Sequence, residues 1–132
     1  ANQRIVMIGL GSLGASIAEL LTRAGVTQLT CIDGNALEMG NLCRHTLCMT
    51  DLYQSKSKLV AKRLTNIDPN IHTTYAERYL DIDETGALVP DLSSFDIIID
   101  STGIGVIICN RVEAKNCILL KFCWTWCKTT VY

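Results

Sequence analysis

A three-layer α/β/α fold, with a parallel sheet between helices on both faces, is what this chain predicts. Three observations carry that expectation. Apolar runs of strand length alternate with segments of helical period. The first run delivers the backbone into Gly9-Leu-Gly11-Ser-Leu-Gly14, and a helical pattern starts at once behind it. The second run ends in an acid, Asp33. Alternation of this kind implies right-handed crossovers between parallel strands.

The first strand is read at 4–8, Arg-Ile-Val-Met-Ile, an apolar run suited to a strand buried on both faces. Almost nothing precedes it, so the chain reads as cut close to the domain edge. The first helix is expected over 12–24, with Leu13, Ile17, Leu20, Leu21 and Ala24 at helical spacing as its inner face. Gly25 follows as the stop. The second strand is placed at 28–32. Residues 34–53 are irregular, and a loop this long inside a compact domain is usually functional. The second helix opens at Ser55 or Ser57 as cap, runs to about 67 with Val60, Leu64 and Ile67 inward, and ends at Asp68-Pro69. Strands follow at 71–76, 95–99 and 118–122. A surface loop with a short helix is expected over 81–94, a third helix over 106–116, and an extended tail from 124. The whole of 1–132 reads as a single domain, without repeats, linkers or low-complexity segments.

The chain has 132 residues, 48% of them apolar and 19% charged, the balance of one globular domain. A net charge of −1 offers no general attraction for nucleic acid. No apolar run reaches the ~18 residues of a membrane span, and no signal peptide is visible. The seven cysteines include no C-x-x-C pair. Cys123 and Cys127 are too loosely spaced to argue for a metal pair, so reduced thiols and a cytoplasmic setting are expected and no metal site is assigned.

Ligands of open parallel sheets bind beyond the carboxyl ends of the strands. The glycine turn, Asp33 and the Asp100-Ser-Thr-Gly103 segment all fall there. Gly9 permits the bend out of the strand, Gly11 lets backbone amides approach a phosphate, and Gly14 lets the helix sit close on the sheet. The N-terminus of that helix then forms an anion site. Asp33 is placed to accept hydrogen bonds from a ribose, the alternative being a turn or cap aspartate. Asn41, Arg44 and Lys58 discriminate among nucleotides, because a triphosphate needs cations that a dinucleotide can do without. For Arg44 the plain alternative is a solvated surface charge, and for Lys58 a first-turn helix lysine. Lys56, Lys58, Lys62 and Arg63 together also read as an ordinary solvated helix face. His45 and His72 read as structural or exposed, and Trp124 and Trp126 as packing or interface residues.

These motifs resemble a known family. Gly9-Leu-Gly-Ser-Leu-Gly14, Leu21 with Ala24-Gly25-Val26, Leu29-Thr-Cys-Ile-Asp33-Gly-Asn35, Glu38, Gly40-Asn-Leu-Cys-Arg44-His45, Lys58 and Ile67-Asp-Pro69 look like the ThiF/MoeB family, the adenylation domain of ubiquitin-activating-type enzymes. The likeness runs from about 4 to 102. It implies a Rossmann-like domain, a piece of a longer protein, that adenylates the C-terminal carboxylate of a ubiquitin-like or sulfur-carrier protein. ATP and Mg2+ would be the cofactors, and a homodimer is possible. By that resemblance Gly9, Gly11, Ser12, Gly14, Asp100 and Thr102 lie at the nucleotide and Asp33 holds the ribose. Asn41, Arg44 and Lys58 hold the phosphates, with Arg44 and Lys58 taking the catalytic part.

The departures are specific. The family usually carries an aspartate after "D-x-T", where this chain has Gly103, and Asn35 replaces a second acid. Arg111 and Asn116 match the family's later helix poorly, and none of the cysteines can be assigned the thioester role. Two other readings therefore stand beside the adenylating enzyme. One is a nucleotide- or partner-binding module without turnover, which Gly103 favours. The other is a nicotinamide-dependent oxidoreductase domain, against which Arg44 and Lys58 argue.

Overall fold

A computed structural model of the protein describes residues 3–40, 45–102 and 117–119, the last of these as backbone. Its elements in chain order are β1 (Arg4–Ile8), α1 (Ser12–Arg23), β2 (Gln28–Ile32), a 3-10 turn (Met49–Asp51), α2 (Lys56–Ile67), β3 (His72–Ala76), β4 (Asp81–Ile82), β5 (Leu88–Val89), β6 (Ile97–Asp100) and β7 (Cys117–Leu119). The main sheet has the order β3-β2-β1-β6-β7, and every pairing in it is parallel. Strand order reverses beside β1, so the crevice at the carboxyl ends of β1 and β6 is the switch point where such sheets take ligands.

Alternation along β1 divides the core. Ile5 and Met7 join Leu29, Cys31 and Ile99 on the face covered by both described helices, while Val6 and Ile8 join Ile32 and Ile98 on the other. Each fully buried aliphatic side chain stabilises this arrangement by roughly 1.5–3 kcal/mol. Among the described residues the second face is covered by Leu80, Leu88, Leu92 and Phe95. The helix expected over 106–116 and the tail beyond 124 lie outside the described residues.

The inner face of α1 differs from the expected one. Gly14, Ala15, Ala18 and Thr22 are buried, Ile17 and Leu21 only flank them, and Leu20 is 65% exposed. Small residues let the helix lie close on the sheet, which turns the bulkier Leu20 to solvent. The stop at Gly25 is as expected. Gly25 has φ +96°, its N–H donates to the Thr22 carbonyl (3.1 Å), and the Val26 N–H donates to the Leu21 carbonyl (3.1 Å). Together these close a Schellman motif.

The stretch expected as a loop with a short helix is instead a small antiparallel pair, with Asp81 opposite Val89 and Ile82 opposite Leu88. Its turn is closed by Asp83, whose N–H donates to the Ala87 carbonyl, and by Gly86 at φ +83°. Asp83 Oδ1 also accepts from the N–H and hydroxyl of Thr85 and from the Ala87 N–H. Turn chemistry centred on an Asp side chain therefore displaces the helix. The strand expected at 95–99 begins two residues later, because Asp96 clasps the start of β1. The Asp96 N–H donates to the Arg4 carbonyl, and the Arg4 N–H donates to Asp96 Oδ2, each at 2.8 Å.

Candidate functional site

A cleft of about 460 Å³ opens at the switch point. Ile8, Gly9 and Gly11 from the glycine turn, Asp33 to Asn35 from the end of β2, Lys56 from α2, and Ser101 with Thr102 from the end of β6 line it. Its outer wall comes from the crossover between β3 and β6, through Arg78 to Ile82 and Leu88.

The turn after β1 is built as its glycines require. Gly9 has φ +84°, a conformation that L side chains rarely adopt. A Cβ on Gly14 would lie 2.1 Å from the Gly9 carbonyl oxygen, so only glycine fits there. A Cβ on Gly11 would meet nothing within 4 Å, so the space in front of its backbone is open to a ligand. Gly11, which lines the cleft, is the N-cap of α1, and no side chain caps that helix start, the kind of end that can take an anion. Ser101 fastens the turn from β6, its hydroxyl donating to the Gly9 carbonyl at 2.6 Å.

Asp33 is buried, and each of its oxygens accepts one backbone amide: Oδ2 from Leu10 and Oδ1 from Asn35, both at 2.7 Å. A carboxylate has about four lone-pair sites, so each oxygen keeps capacity for a ribose hydroxyl. Tyr79 packs across the Asp33-Gly34-Asn35 turn. Its ring occupies the space a Gly34 Cβ would need, and its hydroxyl donates to Asn35 Oδ1.

The buried cation among the described lining residues is Lys56, only 7% exposed, with Arg78 on the outer wall, whereas Lys58 is exposed and absent from the lining. The reason lies in how α2 is docked. The Lys56 N–H donates to the Asn35 carbonyl (3.1 Å), the Leu37 N–H to Gln54 (2.9 Å) and the Tyr53 N–H to Leu37 (2.7 Å). This short antiparallel seam sets the helical phase. Two residues along a helix is about 200° of rotation, which carries Lys58 to the far side. The basic face expected along α2 is thus divided, since Lys56 is buried and Arg63 pairs with Glu19 of α1.

Asp100 is buried behind the cleft and is not among its lining residues. Its Oδ1 accepts from the N–H (2.8 Å) and hydroxyl (2.6 Å) of Thr102, and its Oδ2 has no partner among the described residues. Ser12, the first residue of α1, is partly buried. Asn41, Arg44 and Gly103 lie outside the described residues. Among those described, no three His, Cys, Asp or Glu side chains form a group that could hold a metal ion. Cys31 is buried, which pushes its thiol up to about 12 and leaves it unreactive.

Lys56, Arg78, Tyr79 and Ser101 escape sequence reasoning. For Ser101 the signal is adjacency to Asp100. For Lys56 it is adjacency to the Ser55 cap, which cannot be read without the seam to residues 35–37.

Comparisons with known proteins bear on the family and the fold. The model described as "ThiF family" matches residues 1–118. Over 102 residues the chain is 34% identical to the ATP-dependent ubiquitin transferase-like protein Cap2 of Enterobacter hormaechei subsp. hoffmannii, covering 77% of this chain and 17% of that protein. Over 115 residues it is 33% identical to the molybdopterin-synthase adenylyltransferase of Escherichia coli, covering 86% of this chain and 44% of the relative. The chain thus spans less than half the length of these relatives. The crystal structure of E. coli tRNA N6-threonylcarbamoyladenosine dehydratase in complex with ATP superposes with a TM-score of 0.66. That match has 22% identity and covers 76% of this chain and 41% of that one, a likeness of fold.

Proposed function

Because the chain belongs to the ThiF family, we propose that its cleft binds ATP and that the protein of which it forms part adenylates the C-terminal carboxylate of a ubiquitin-like or sulfur-carrier protein. The observation that carries this reading is the convergence of the glycine turn, Asp33 and the buried Lys56 on one opening. The turn and the start of α1 seat the phosphates through backbone amides, and Asp33 takes the ribose. Lys56 holds negative charge in a partly dehydrated site, where such charge is worth more than in water. Arg44 and Asn41 belong to the same proposal on the strength of the family motif. A carboxylate oxygen of the partner attacks the α-phosphorus, the bond from that phosphorus to the bridging oxygen breaks, and pyrophosphate leaves. Magnesium arriving with the triphosphate would neutralise charge on the leaving group.

Titration calorimetry with ATP and magnesium tests the site. One charge-assisted contact is worth roughly 1.5–3 kcal/mol, so Lys56→Ala should weaken binding by about one to two orders of magnitude. Lys58→Ala should leave it unchanged. Equal binding of NAD, or indifference to Lys56→Ala, would instead favour an oxidoreductase domain. Gly103, at the place where the family usually carries an aspartate, favours a second reading as a binding module without turnover. ATP–pyrophosphate exchange by the natural full-length protein separates the two.

A further inference from the structure

The peptide unit of Leu10, at the centre of the glycine turn, is held on both sides. Its N–H donates to Asp33 Oδ2 (2.7 Å), and its carbonyl lies 2.7 Å from Nε2 of His45. The other ring nitrogen of His45, Nδ1, faces the backbone N–H of Leu47 at 3.2 Å. An N–H pointing at Nδ1 requires that nitrogen to be an acceptor, so the proton sits on Nε2 and donates to Leu10. Both bonds therefore exist together only for the neutral imidazole.

We propose that His45 is a positioning residue whose neutral ring holds the Leu10 carbonyl, keeping the glycine turn shaped for a nucleotide's phosphates, and that protonation of the ring releases it. The inference rests on the nucleotide reading of the cleft. A second proton on Nδ1 would point at the Leu47 N–H, donor against donor, and would place a cation beside Lys56. The charged groups around the ring come from each packed element: Lys56 of α2 opposes the imidazolium, while Asp33 after β2 and Glu19 of α1 favour it. Glu19 is already paired with Arg63, and Asp33 with two backbone amides. Burial opposes the charged ring most strongly, and the ring titrates below its usual range. His45 touches the turn and not the reacting atoms, so its effect falls on affinity and on the shape of the site.

The test compares the wild-type chain with His45→Gln and His45→Ala for ATP affinity, in magnesium, from pH 8 down to mildly acidic pH. A Gln amide can still donate to Leu10 and does not titrate. The wild-type to His45→Gln ratio of dissociation constants cancels the nucleotide's own protonation. That ratio should rise about three- to tenfold on acidification, the worth of one neutral hydrogen bond. His45→Ala should bind weakly at every pH by a similar factor. In the ligand-free wild-type chain, the Leu10 amide resonance should move with the titration of the His45 ring, and in His45→Gln it should not. A ratio independent of pH, or a Leu10 amide indifferent to the ring, would overturn the proposal. Absence of ATP binding by the wild type at pH 8 would overturn the nucleotide reading instead, and the Leu10 resonance would still decide whether the clamp exists. Should His45→Gln fail to fold, the wild-type resonances alone decide between clamp and no clamp.

Discussion

Gly11 and Gly14 stand three residues apart in one turn, yet their hydrogens face opposite surroundings. A methyl on Gly14 would land 2.1 Å from the Gly9 carbonyl oxygen and 2.5 Å from Ser101 Oγ, which is itself hydrogen-bonded to that carbonyl. Gly14→Ala should therefore cost at least about 1–3 kcal/mol in urea unfolding, in the range of overpacked cores. Gly11 has φ −69° and ψ −167°, which any residue adopts, and open space before it. Gly11→Ala should leave stability within ~0.5 kcal/mol of wild type. On the proposed nucleotide reading it should nevertheless weaken ATP by about tenfold or more, because the methyl would take the place where phosphate oxygens approach the amides. Wild-type ATP affinity in Gly11→Ala would show that phosphates do not sit on this turn. Lys56 and Lys58 make the same point about direction, since composition cannot tell them apart and helical phase alone separates them.

At the scale of elements, the seam between residues 35–37 and 53–56 decides where α2 begins. Its tightest bond, from the Tyr53 N–H to the Leu37 carbonyl at 2.7 Å, is reached with Tyr53 at φ +65°. That left-handed conformation costs a non-glycine residue roughly 1–2 kcal/mol. The Tyr53 side chain is 74% exposed, so little packing repays it. Tyr53→Gly should raise stability by up to ~1 kcal/mol once glycine's larger unfolded-state entropy is subtracted. A loss of stability in chemical denaturation would mean that the exposed ring is buried against something in the folded state. Tyr79 braces the Asp33-Gly34-Asn35 turn from the crossover, so the Asp33 end of the cleft depends on a segment far away in sequence.

For the molecule as a whole, acid should act in two stages. The folded state holds the His45 ring below its ordinary value of 6.5, chiefly by burial, so the unfolded chain binds this proton first. The stability it contributes is fully present above about 6.5 and is lost as pH falls from there through the lower folded value. At lower pH, Asp83 and Asp91 follow. The Thr85 hydroxyl, then the Ala87 amide, holds Asp83 below its ordinary 3.8, and the amide and hydroxyl of Ser93 do the same for Asp91. Their contribution is present above 3.8 and disappears as pH falls through the depressed folded values. Thermal melts between pH 8 and 5 should show the first stage in the wild type and lose it in His45→Gln. An unchanged slope would mean that His45 does not titrate with folding.

Local pattern is enough for the doubly wound class, the strands at 4–8 and 28–32, the glycine stop at Gly25 and the placing of Gly9, Gly11 and Asp33 at one sheet edge. These follow from apolar run length, helical period and backbone conformations that few residues tolerate, all of them properties of neighbouring residues. The face of α1, the antiparallel pair at 81–89 and the choice of Lys56 over Lys58 depend on contacts between residues distant in the chain. So does the double clamp of Asp33 and His45 on the Leu10 peptide unit. Helix phase, strand offset and the direction of a side chain are set by what packs against them. They become definite only when the sheet, the seam before α2 and the crossover come together around the cleft.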